Sequence, residues 1–66
     1  MKWTPERIKA LRKGFGDTQE QFAERLDVAL ATIQVWEQGR GEPIGPACLY
    51  MERLENDLRE AEKQPA

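Results

Sequence analysis

With 66 residues and a formal net charge of −2, the chain has room for one domain, residues 1–66, that buries little core. It has no histidine and a single cysteine, Cys48, which excludes an internal disulfide, a Cys/His zinc site and a Ser-His or Cys-His nucleophile pair, so no metal, no cofactor and no enzymatic activity is expected. The longest apolar run, from Ala47 to Met51, is five residues, and the start meets charge and proline at once, so neither a membrane span nor a signal peptide is expected and a cytoplasmic binding module is the expectation.

Punctuation along the chain predicts four helices and no strands. Thr4 is a good N-cap, Pro5 suits the first helical position, and Trp3 stands where it can staple onto Ile8. This first helix runs to about Lys13, with Gly14 as its stop and Ile8, Leu11 and Phe15 as its apolar stripe. Thr18 opens the second helix and forms a capping box with Gln21, after which Phe22, Ala23 and Leu26 fall at helical spacing. Two or three residues later a third helical pattern begins, with Ile33 and Trp36 inward, ended by Gly39 and Gly41. A loop from Arg40 to Gly45 follows. Pro46 restarts a helix that meets no further glycine or proline until Pro65, giving a long C-terminal helix of about 46–63. The expected fold is all-α, a compact bundle of about four helices.

Charge is unevenly placed along these elements. Residues 1–13 carry Lys2, Arg7, Lys9, Arg12 and Lys13 against Glu6 alone, a basic end suited to phosphate. Glu20 and Glu24, four apart on the second helix, read as a solvated face. Cys48 reads as a small buried hydrophobe.

The second and third helices, joined by so short a turn, have a helix-turn-helix layout over a core of residues 4–45. Thr18-Gln19-Glu20-Gln21-Phe22-Ala23, Leu26-Asp27-Val28, Thr32-Ile33 and Trp36-Glu37-Gln38-Gly39 together resemble the Cro and phage-repressor (XRE) class of helix-turn-helix regulators. The stretch from Pro43 to Ala47 looks like the tail of small antitoxin-type members. The resemblance implies a third helix that enters the major groove of double-stranded DNA, with Leu30, Ala31, Gln34 and Val35 facing base edges. It implies phosphate contacts from Thr18, Gln19, Thr32, Gln38 and Arg40, and a partly buried salt bridge between Arg12 and Glu37. Two positions depart from the pattern. Asp27 stands where glycine is usual in the turn, and Ala29 replaces a capping serine, a loss of about 1 kcal/mol. Three of the four base-facing residues are apolar, which leaves Gln34 as the one amide able to read adenine.

On the last helix, Met51, Leu54, Leu58 and Ala61 recur in a near-heptad rhythm after Ala47. The first half is expected to close the core with help from Leu49 and Tyr50. The stripe of Met51, Leu54, Leu58 and Ala61, its second half above all, is expected to form a seam with a second copy. The reading is a transcriptional regulator, expected to be a repressor, that binds a palindromic operator as a homodimer. The rival readings are an antitoxin with a toxin partner, and a protein-interaction module that keeps the fold without DNA affinity.

Overall fold

A computed structural model describes residues 2–63; Met1 and residues 64–66, including the expected helix stop Pro65, lie outside the described residues. Four helices follow in order, α1 (Pro5–Gly14), α2 (Gln19–Leu26), α3 (Leu30–Glu37) and α4 (Pro46–Lys63). No strand occurs among the described residues.

Each of the first two helices starts where its side chains can satisfy the open N–H groups. The Arg7 N–H donates to Thr4 Oγ1 at 3.2 Å, and Pro5 follows the cap. Trp3 and Ile8 are both buried in the core cluster. The Arg7 guanidinium lies over the Trp3 ring, 3.7 Å from its centroid. At α2, the Gln21 N–H donates to Thr18 Oγ1 at 3.1 Å while the Thr18 N–H donates to Gln21 Oε1 at 2.9 Å, a complete capping box.

The ends of α1, α2 and α3 share one device, a residue in the left-handed region whose N–H and successor N–H turn back onto the last carbonyls. On α1 that residue is Gly16, with φ of 72°, so the stop lies two residues beyond the expected Gly14. Gly14 instead makes room for packing. A Cβ there would run into Leu58 Cδ2, so the missing side chain lets α4 approach α1 closely.

The core takes Ile8 and Leu11 from α1, Phe22 and Ala23 from α2, Ile33 and Trp36 from α3, and Met51 from α4. Met51 is 0% exposed within a single chain, which corrects its expected place in an intermolecular seam. Leu54 and Leu58 are half-buried and pack against the same core, so they too are engaged inside the chain; Ala61 is exposed. The heptad-like rhythm therefore marks the face that α4 lays on α1 and α2. Leu49 and Tyr50, expected to help close the core, instead point outward at 69% and 44% exposure. Cys48 is half-buried, and its Sγ donates to the Pro43 carbonyl at 3.0 Å.

A bidentate ion pair fixes α4 further. Arg7 Nε and Nη2 donate to Glu55 Oε2 and Oε1 at 3.1 and 2.8 Å. The hydrogen bond from Arg7, with its charge, holds the Glu55 carboxyl below its ordinary pKa against the opposing effect of burial. Because the folded value is the lower one, the stability this pair contributes is present above the unfolded value of about 4.3 and is lost as pH falls through the folded value. Glu55→Gln is accordingly expected to lower the thermal midpoint at neutral pH and to match the native chain once pH is well below about 4. A midpoint gap that persists undiminished in acid would remove the ion pair as its cause.

Candidate nucleic-acid interface

The α2–α3 turn is set by Asp27, the single non-glycine residue with positive φ among the described residues, at 57°. A short polar side chain tolerates that conformation better than most. The Val28 N–H then returns to the Ala23 carbonyl at 3.0 Å, and Val28 packs against the core. Ala29 begins α3 with no side-chain cap bond, as its methyl dictates. Ile33 and Trp36 anchor α3 from beneath, at 0% and 8% exposure. Ala31, Gln34 and Val35 consequently face outward, while Leu30 and Thr32 are half-buried.

An open groove of about 540 Å³ separates the N-terminus of α2 from α3, walled by Arg12, Thr18, Gln19, Glu20, Leu30 and Gln34. It gathers two residues expected at phosphate, Thr18 and Gln19, with two expected at bases, Leu30 and Gln34. Ala31, Thr32, Val35, Gln38 and Arg40 are not among its walls. Gln38 and Arg40 are exposed beyond the end of α3, where the Arg40 N–H donates to the Val35 carbonyl at 3.0 Å. The loop after α3 folds back on Val35, since a Cβ on Gly41 would stand 3.0 Å from Val35 Cγ1.

Beneath the groove lies a buried polar network. Arg12 Nε and Nη2 donate to Glu37 Oε2 and Oε1 at 2.8 and 3.0 Å, and Arg12 Nη1 donates to the Asp17 carbonyl at 3.1 Å. The Glu37 side chain is 3% exposed and that of Arg12 17%. The hydrogen bond to Glu37 raises the Arg12 pKa further above its already high value, with burial opposing. Gln19 Nε2 also donates to Glu37 Oε1, at 3.2 Å. One N–H of this amide is thus anchored from below, and its second remains for a ligand. The Gln19–Glu37 bond was not foreseeable from spacing, because the two residues stand on different helices.

The basic end is less open than its composition implies. Arg7 and Arg12 are held by Glu55 and Glu37, and Lys2 stands 3.5 Å from Glu42. Lys9 and Lys13 are exposed. Glu20, a solvated-face residue by its spacing from Glu24, is exposed and also walls the groove; its signal is adjacency to Gln19 in the first turn of α2.

Residues 8–43, more than half of the chain, match a family model described as helix-turn-helix. Among curated proteins, the HTH-type transcriptional activator BcrR of Enterococcus faecalis is 47% identical over 38 residues, a stretch that covers 58% of this chain and 19% of that protein. The chain thus spans about a fifth of the length of the curated relative it matches. No solved structure matches it. With α2, the Asp27 turn and an outward-facing α3 falling inside the matched residues, the chain belongs to the helix-turn-helix family, in its Cro and phage-repressor (XRE) class.

Proposed function

We propose that the chain is a sequence-specific, double-stranded DNA-binding module of a transcriptional regulator. The observation that carries this is the presentation of α3: Ile33 and Trp36 hold it from below, leaving Ala31, Gln34 and Val35 outward beside an open groove. A major groove admits one such helix, and the N-terminus of α2 offers N–H groups for a phosphate of the flanking backbone. Thr18, Gln19, Thr32, Gln38 and Arg40 supply the backbone contacts in this reading, and Leu30, Ala31, Gln34 and Val35 read bases.

The protein acts as a homodimer on a palindromic operator and represses by occupying a promoter. The dimer face is a different one from the α4 stripe. Ile44, Leu49 and Tyr50 are large apolar residues, 80%, 69% and 44% exposed, and they occur within seven positions of sequence at the start of α4. They follow the loop that carries Arg40, and a second copy seated on them is the dimer of this reading. A toxin protein is the rival occupant of that face, and its stoichiometric co-purification would mark an antitoxin.

Selection of bound duplexes from a random library tests the reading. A palindromic consensus, with affinity falling linearly against salt on logarithmic axes, is expected. Enrichment of no sequence, with no salt-dependent binding, overturns it. Leu49→Glu is expected to sediment as a monomer that stays folded, because Leu49 touches little of its own chain. Persistence of the dimer would move the interface elsewhere.

A further inference from the structure

The groove between α2 and α3 carries a carboxylate for which DNA binding has no evident use. Glu20 is the second residue of α2, is exposed, and forms part of the groove wall. At this helix end the capping box engages the Gln21 N–H, so the N–H groups of Gln19 and Glu20 are those left open to an anion. Glu20 shares the groove wall with Thr18 and Gln19, the residues that meet phosphate in the DNA-binding reading. Nothing on the groove wall offsets that charge. Arg12 is the one cation there, and both oxygens of Glu37 already bind it. A DNA-facing groove with a surplus negative charge repels every duplex alike, whatever its sequence.

We propose that Glu20 is a brake on DNA affinity. Its carboxylate, on the groove wall, opposes the duplex phosphates that the DNA-binding reading brings there, lowers sequence-independent binding, and makes stable occupancy depend on the base contacts of α3. This rests on the DNA-binding reading above. A carboxylate can also accept from cytosine N4, and that alternative acts at one base pair only.

The test compares the native chain with Glu20→Gln, which keeps the shape and removes the charge, and with Glu20→Asp, which keeps the charge. Binding to the selected operator and to a random duplex is followed by fluorescence anisotropy across a salt series. Thermal midpoints confirm that each variant is folded. Glu20→Gln is expected to tighten both duplexes by a similar factor, about fivefold at low salt, the size of one like-charge contact at about 4 Å in water. Its logarithmic salt slope is expected to steepen by about 0.9, the equivalent of one further phosphate neutralised. Glu20→Asp is expected to stay weak. Unchanged affinity for both duplexes overturns the brake, as does an effect confined to one cytosine of the operator. Absence of binding by all three proteins at every salt overturns the DNA reading itself and the brake with it. Binding by Glu20→Gln alone upholds both.

Discussion

Arg12→Ala is expected to unfold the domain near ordinary temperatures. The guanidinium joins three segments, through Glu37 on α3, the Asp17 carbonyl in the α1–α2 turn, and its own helix α1. Its removal strands the Glu37 carboxylate, 3% exposed, with Gln19 as its remaining donor. Breaking a buried pair from one side costs about 3–5 kcal/mol, whereas a surface pair contributes about 0–1. A domain of this length has a total stability of roughly 3–10 kcal/mol, so the loss takes most of it. Each kcal/mol moves the thermal midpoint of so small a domain by about 4–8 °C, and a fall of tens of degrees is expected. Arg12→Lys keeps the charge, loses the two-pronged geometry, and should fall between. The double variant Arg12→Met/Glu37→Leu should recover much of the stability, since apolar side chains of similar volume need no partners. It should not recover DNA affinity, because Gln19 loses the acceptor that aims its amide into the groove. A thermal midpoint unchanged in Arg12→Ala would show the pair to be worth no more than a surface contact.

What the sequence makes legible here is what is local. Thr4 and Thr18 announce helix starts because a cap acts on N–H groups three residues away, and the bonds at 3.2 and 3.1 Å are where the pattern puts them. Ile33 and Trp36 announce the inward face of α3 because three residues is close to one turn. The stop of α1 is ambiguous in the sequence because Gly14 and Gly16 are both glycines in range of the helix end, and only the backbone tells which takes the positive φ. The partner of the α4 face is hidden for a different reason. A repeating apolar stripe states that something covers it and does not state what. The cover is α1 and α2, with α1 admitted by the bare Cα of Gly14 and clamped by Arg7 and Glu55, and neither of these contacts has a periodic signature. The candidate site divides the same way. Its α3 residues follow from helical spacing, while Gln19 on Glu37 and Glu20 on the groove wall bring together different elements.

Base reading should rest on one amide and a few methyl groups. Gln34 is exposed and walls the groove beside Leu30, while Ala31 and Val35 are exposed outside it, Val35 at 38%. Of these four, only Gln34 can make a bidentate pair with adenine N6 and N7, which discriminates by about 1–3 kcal/mol. Gln34→Ala is therefore expected to weaken operator binding by roughly 10- to 100-fold while leaving a random duplex nearly unaffected, since its phosphate contacts are intact. The apolar residues can only pack on the C5 methyl of thymine, at about 0.8 kcal/mol for each methyl buried, or about fourfold in affinity. Uracil in place of thymine removes that methyl alone. One position of the selected operator opposite Val35 is expected to lose about fourfold on this change, and Val35→Ala should make the protein indifferent to it. Leu30, half-buried in the groove wall, should give a smaller effect at a neighbouring thymine. The order of effects is as informative as their size: Gln34→Ala first, then thymine opposite Val35, then thymine opposite Leu30. If uracil is tolerated throughout, or if Gln34→Ala weakens operator and random duplex equally, α3 reads no bases directly. The operator would then be distinguished by its shape and deformability alone, with the protein holding the backbone from Gln19 and Arg40.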